Sequence, residues 1–209
     1  MSKLILGICG KARSGKDTFA NYLIECFAKH HDVDVYRTAF ADILKFMCKE
    51  HFNLSDDQLW GDKKEVVDKR FVLSEEENTY WTPRTIMQSF GEFYRSIDKD
   101  YWVKALDKHL KTVENEYVVI TDLRYENECE YVKNNAGLLI RISRKDKPLI
   151  SNTSHSSETS LDNLPYSYFD ISINNDGSLS ELYWAADNLV SNMIKLTEWI
   201  NRKEKYNGS

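Results

Sequence analysis

The chain has 209 residues, 42% hydrophobic and 12% aromatic, enough apolar material for one substantial core; a single domain is the default, with disorder expected only at the ends. Its net charge of −5 excludes broad nucleic-acid binding, which needs a basic surface excess, so anionic ligands must be met by local clusters. Cys9, Cys26, Cys48 and Cys129 lie far apart without a Cys-x-x-Cys pair, the pattern of buried thiols in a reduced compartment; no run approaches the roughly 18 apolar residues of a membrane span, and a soluble, cytoplasmic protein is expected.

Residues 4–9 (LILGIC) read as a buried strand, and residues 18–28 have the apolar spacing of a helix, with Phe19, Tyr22, Leu23, Cys26 and Phe27 on one face. Between them Gly10, Lys11, Ala12, Arg13, Ser14, Gly15 and Lys16 have the spacing Gly-x-x-x-x-Gly-Lys, a loop whose backbone N–H groups converge on a phosphate. The helix N-terminus adds partial positive charge, and Lys16 adds a mobile full charge able to follow a transferring phosphate. Arg13 is an additional cation. One departure concerns the metal: the position after Lys16, usually Ser or Thr holding Mg²⁺, is Asp17, with Thr18 one place late.

Residues 34–40 predict a second strand and residues 41–52 a helix with Ile43, Leu44, Phe46 and Met47 inward, Asp42 and Lys45 falling on its first turns. Residues 53–82 have no sustained period and read as an irregular excursion that covers a ligand. Its aromatic residues Trp60, Tyr80 and Trp81 favour a base. Thr82 as N-cap and Pro83 in the first turn open a new helix with Ile86, Met87, Phe90 and Phe93 at apolar spacing. Arg84, Gln88, Gly91 and Arg95 share another stripe, where two guanidiniums could grip a phosphate bidentately; a solvated charged face is the alternative. A further helix is expected over residues 97–110, with Trp102, Val103, Leu106 and Leu110.

Residues 117–121 (YVVIT) form a continuous apolar strand of the kind found in parallel sheets covered on both faces, and it ends at Asp122. Ligands of open α/β sheets bind beyond the strands' carboxyl ends, so Asp122 is suited to Mg²⁺-bound water or a substrate hydroxyl, or else caps the next helix. Arg124, Asn127 and Glu128 follow. Residues 137–143 and 169–173 are the fourth and fifth strands, and residues 178–203 one long amphipathic helix with Leu182, Trp184, Ala185, Leu189, Met193, Leu196 and Ile200. The polar segment 144–165, with Arg144, Lys145, Lys147 and His155-Ser156-Ser157-Glu158, suits a lid; a merely flexible loop is the alternative.

GKARSGKDT, AFADILK at residues 39–45, TPRTIMQSFGEFYR at 82–95, VVITDLRYENE at 118–128 and HSSE at 155–158, taken in this order, resemble the deoxynucleoside monophosphate kinases of tailed bacteriophages over nearly the whole chain. The resemblance implies the α/β P-loop nucleoside-kinase fold, an approximately five-stranded parallel sheet flanked by helices, and ATP- and Mg²⁺-dependent phosphorylation of a deoxynucleoside monophosphate. It implies donor phosphates on Gly10 to Thr18, Mg²⁺ on Asp17, Thr18 and Asp122, and chemistry carried by Lys16, Arg13, Asp122 and Arg124. The acceptor nucleotide falls to Lys45, Trp60, Arg84, Gln88, Arg95 and Glu128, and Arg144, His155 and Glu158 close the lid. A kinase of another phosphorylated small molecule, of phosphomevalonate or dephospho-coenzyme A type, and a non-catalytic ATP-binding switch are the alternatives. Neither a nucleic-acid nor a membrane partner is expected, the location would be the host cytoplasm if phage-encoded, and monomer and homodimer both stay open.

Overall fold

A computed structural model describes residues 3–145, 160–161 and 163–207, with side chains through residue 196. The chain divides into two compact units, Met1–Thr38 with Val113–Ser209, and Ala39–Thr112. The 53–82 excursion lies within the second.

The first unit is built on strands β1 (Leu4–Cys9), β2 (Val35–Thr38), β5 (Tyr117–Leu123), β6 (Leu138–Ser143) and β7 (Ile171–Asn174). They form a parallel sheet in the order β2-β5-β1-β6-β7. β1 is apolar along its length, and β5 is apolar from Tyr117 to Ile120, because each has a neighbour on both sides and helices on both faces. Along β1 the pleat sends Leu6 and Ile8 to one face, where Phe19, Leu23 and Phe27 of α1 (Lys16–His31) and Leu182, Ala186 and Val190 of α7 (Leu179–Asn207) complete the core. Gly7 points the other way, where a Cβ would lie 2.4 Å from Leu123 and 2.9 Å from Val132 of α6 (Glu126–Asn134). The chain leaves β1 toward β2 on one side and β6 toward β7 on the other, so the switch point falls between β1 and β6. That is where the glycine loop begins.

α1 starts two residues before its apolar spacing does and ends at Asp32, which takes the left-handed conformation (φ 51°) and returns its N–H to Phe27 O. Asp17 in its first turn and Lys29, His30 and His31 in its last match the helix dipole. In α7 the expected inward face is rotated: Leu182 and Met193 are buried, but Ala186 and Val190 complete the stripe, while Trp184 (69% exposed) and Leu196 (58%) face solvent. Ile200 lies outside the described side chains.

The second unit holds α2 (Phe40–Phe52), α3 (Asp56–Leu59), a 3-10 turn at Asp62–Glu65, the hairpin β3 (Val72–Ser74) and β4 (Thr79–Tyr80), α4 (Pro83–Ile97) and α5 (Tyr101–Leu110). One of its buried clusters holds Cys48, Leu54, Leu59 and Ile86, with Leu44, Phe52, Phe71, Trp81, Met87 and Phe90 against them, and Phe40 of α2 and Trp102, Leu106 and Leu110 of α5 are buried as well. Phe46, expected inward, is 58% exposed, because Cys48 takes the inward position on α2. Phe93 of α4 is likewise exposed. Thr82 caps α4 as expected, accepting from Thr85 N, with Pro83 in the first turn. α5 begins four residues later than its apolar pattern suggested, since Asp98 ends α4 and turns the chain through Tyr101 N to Asp98 O. The irregular excursion is pinned by buried Asp68: it accepts from Arg70 Nε (2.9 Å) and Nη2 (2.6 Å) and from Gln58 Nε2 (2.8 Å), while Arg70 Nη1 reaches Asn53 O at 3.1 Å.

All four cysteines are free and buried. Burial pushes the Cys9, Cys26 and Cys48 thiols up to about 12, and Cys129 upward as well. Among the described residues no helix is long and apolar enough to cross a membrane.

Candidate active site

The loop after β1 bends through two left-handed residues, Arg13 (φ 64°) and Gly15 (φ 92°). A non-glycine residue held there stores strain, which is expected where backbone N–H groups are aimed at a ligand. Gly10 has no room for a side chain: a Cβ would lie 2.5 Å from Ile142 O and 2.6 Å from Ser14 Oγ. Ser14 N–H closes a turn onto Lys11 O at 3.1 Å. Its buried hydroxyl has no hydrogen-bond partner among the described residues. Gly15 is the N-cap of α1 and offers no side chain to cap it, so first-turn N–H groups are left for an anion. The Lys16 ammonium stands 3.3 Å from the Asp17 carboxylate, with Asp17 and Thr18 exposed.

Beyond β6, Arg144 is exposed, and Lys145 donates its backbone N–H to Asp176 Oδ1 at 2.5 Å, holding the Asp176 carboxyl below its usual range. Asn175, just past β7, is 8% exposed and donates to Ser14 O at 2.8 Å. β5 runs two residues past its expected end, so Asp122 is a half-buried strand residue rather than the first residue after the strand. Glu128 is 2% exposed, and its Oε2 accepts Arg124 N–H at 2.7 Å and Tyr125 N–H at 3.1 Å. Through these two contacts Glu128 caps the N-terminus of α6.

In the second unit, Arg84 Nε is paired with the Glu65 carboxylate of the 3-10 turn. Gln88 and Arg95 are half-buried on the same helix, and Gly91 between them is buried, its carbonyl accepting the Trp102 indole N–H at 3.2 Å. A Cβ at Gly91 would sit 3.6 Å from Arg95 Nη1. Asp42 links two other expected contacts, standing 3.6 Å from Lys45 Nζ and 3.4 Å from the Trp60 indole nitrogen. The Lys45 ammonium lies 5.5 Å above the Trp60 ring, which also meets Phe46 at 5.5 Å between centroids.

The family model for deoxynucleotide monophosphate kinase matches residues 34–185. A putative deoxynucleotide monophosphate kinase of Acanthamoeba polyphaga mimivirus is 31% identical over 208 aligned residues, spanning 92% of this chain and 99% of that protein. The chain belongs to the deoxynucleotide monophosphate kinase family. The corresponding protein of Enterobacteria phage T4 is 32% identical over 108 residues, covering 49% of this chain and 43% of that protein. Among solved structures, dephospho-CoA kinase from Campylobacter jejuni overlays with a TM-score of 0.49 at 14% identity, covering 92% of this chain and 98% of that one. That overlap is too loose to carry weight; the fold rests on strand order and loop.

Within the first unit, residues 10–18 sit on one loop and helix start, with Asp122 on β5 and Arg124 just beyond it. Within the second, Lys45 and Trp60 meet, and Arg84, Gln88 and Arg95 share α4. Lys147, His155 and Glu158 lie outside the described residues. Two participants were passed over in the sequence. Glu65 stood in a charged run with no period, and nothing local marks its partner. Asn175 had a usable signal, since it follows a strand's carboxyl end as the glycine loop does. Among the described residues no three His, Cys, Asp or Glu side chains gather around a metal position. Mg²⁺ does not need such a cage, because substrate phosphates and one or two protein oxygens suffice.

Proposed function

We propose that this family member transfers the terminal phosphate of ATP to a deoxynucleoside 5′-monophosphate, giving ADP and the deoxynucleoside diphosphate. The observation that carries the reading is the strained glycine loop, Arg13 and Gly15 both left-handed ahead of an uncapped α1. An oxygen of the acceptor phosphate attacks the γ-phosphorus while the bond to the β-phosphate oxygen breaks and ADP leaves. A monophosphate, with its second pKa near 6, is already largely dianionic at neutral pH, so no general base is required. Catalysis is then positioning plus cationic stabilisation of charge on the equatorial oxygens.

In this reading the N–H groups of residues 10–18 cradle the donor phosphates, and Lys16 follows the transferred group. Arg13 and Arg124 add positive charge, and Arg144 belongs to the closing segment. Lys45, Arg84, Gln88 and Arg95 hold the acceptor, with Trp60 against its base. Mg²⁺, held by Asp17, Thr18 and Asp122 together with the phosphates, would neutralise their charge. A cytoplasmic setting, without nucleic acid as partner, goes with such substrates.

The test is ADP release in a coupled assay across the deoxy- and ribonucleoside monophosphates. Release that needs both ATP and a deoxynucleoside monophosphate is expected. Absence of acceptor-dependent release with any monophosphate would overturn the proposal.

A further inference from the structure

Asn175 stands at a junction. Its backbone N–H extends the β6–β7 ladder to Ser143 O at 2.7 Å. The next residue, Asp176, holds Lys145 N–H, so the corner after β7 also grips the root of the segment beyond β6. The Asn175 side chain points into the glycine loop: its Nδ2 donates to Ser14 O at 2.8 Å, and a Cβ built on Gly15 would fall 2.2 Å from that nitrogen. The amide thus packs against the Ser14–Gly15 peptide, and Gly15 is glycine partly because Asn175 fills the space a side chain would take.

A trans peptide is planar, with its C=O and N–H directed to opposite sides. Fixing the Ser14 carbonyl therefore also fixes the direction of the Gly15 N–H, which must point away from Asn175. Gly15 is the N-cap of α1, and its N–H is among the loop donors available to an anion. We infer that Asn175 is a positioning residue for the donor phosphate, locking the Ser14–Gly15 peptide plane so that the Gly15 N–H is preset toward the anion. This rests on the reading of residues 10–18 as the donor loop. Ser14 O is buried behind the loop, so without Asn175 that peptide has no fixed partner and can rotate, and a rotated peptide presents a carbonyl where a donor is required.

The decisive variant in the full chain is Asn175→Asp, which keeps the shape and removes the donor. The KM for ATP should rise about tenfold or more, the size of one misplaced hydrogen bond to a charged group, while the acceptor KM stays within about twofold. In amide-resolved NMR, the Gly15 N–H should shift on ATP addition in the unaltered chain and not in the variant. Lys16→Ala is run in parallel. If Lys16→Ala loses turnover and Asn175→Asp keeps its ATP KM and Gly15 shift, the inference about Asn175 falls alone. If Lys16→Ala keeps turnover, the donor-loop reading falls and takes this inference with it. Should Asn175→Asp not fold, Asn175→Ala is read the same way. Failure of both to fold, or an equal rise in both KM values with lowered thermal stability, would make Asn175 a structural residue only and overturn the inference.

Discussion

The glycine loop of the first unit and the polar stripe of α4 in the second are both assigned to phosphate, but they are made of different material. The loop is backbone, its shape dictated by Gly10, which would collide with Ile142 O if it carried a Cβ, and by Gly15 at φ 92°. The stripe is side chain, and one of its guanidiniums is already engaged by Glu65. A backbone site is preset and unforgiving of change. A side-chain site can hold alternative partners and be tuned by them, at the cost of breaking an ion pair when ligand arrives.

The comparison is broken most sharply at Lys16, the one full charge of the loop that lies largely shielded, with 14% of its side chain exposed. Lys16→Ala should fold normally and lose turnover by roughly 10³-fold, because the developing charge loses its nearest cation. Single-turnover kinetics with a thermal melt checks both halves, and near-normal turnover would remove the donor assignment.

The second unit buries fewer apolar side chains than the first and carries a polar staple at Asp68. Asp68 is held well below the usual carboxylate range, first by the Arg70 guanidinium and then by Gln58, against the opposing effect of burial. Asp68→Asn should cost about 1–3 kcal/mol, the range for losing charged hydrogen bonds at a buried carboxylate. The pH dependence has a definite sign. A carboxyl whose folded pKa lies below its unfolded value of about 4 adds stability that is fully present above pH 4 and lost as pH falls below it. The gap between the two proteins in chemical denaturation should therefore be full at pH 7 and shrink at pH 3. A gap that stays constant would mean the ion pair contributes nothing through charge.

The same contrast between backbone and side chain explains how much was legible in the sequence. The five strands of the parallel sheet, the loop and the cap of α4 announce themselves through period, glycine spacing and the Thr82-Pro83 pair, since each is a local consequence of local residues, whereas the short hairpin β3–β4 inside the 53–82 excursion does not. Phe46 and Trp184 were assigned to the wrong side because apolar character alone does not choose among adjacent helix positions. Cys48 and Ala186, smaller residues, took the buried places. Asp68 and Glu65 carry no local signal, and Asn175 is marked only by its place after a strand, for a different reason. Each acts on a partner brought close by folding, in Asn175's case across 161 positions of chain.

A smaller effect is expected at the stripe. Arg84→Lys and Arg95→Lys keep the charge and lose the fork, so the KM for the acceptor should rise about tenfold with that for ATP little changed. Glu65→Gln sharpens the point from the other side: releasing Arg84 should lower the acceptor KM by a few-fold at most, since the pair is exposed. Initial-rate measurements with each substrate varied in turn would show it. Equal changes in both KM values would dissolve the division of labour between the loop and the stripe.

The last effect belongs to Asp17, where the loop departs from the usual hydroxyl, and it falls on the metal rather than on either substrate. The Asp17 carboxylate pairs with Lys16 at 3.3 Å and is 65% exposed, so the pair itself adds little stability and is free to rearrange. Two roles for this carboxylate make opposite demands. If it serves mainly to park the Lys16 ammonium, Asp17→Ala should leave the Mg²⁺ requirement unchanged and alter only the KM for ATP. If it contributes an oxygen to Mg²⁺ together with the phosphates, removing it should raise the Mg²⁺ concentration for half-maximal rate by about tenfold, the lower end of what losing a metal-site partner costs. Asp17→Ser separates the two further, because a hydroxyl restores a short metal ligand without the charge that holds Lys16. Recovery of the Mg²⁺ titration by serine but not by alanine is the outcome expected here. Identical titrations for the unaltered chain, Asp17→Ala and Asp17→Ser would move the metal to Thr18 and Asp122.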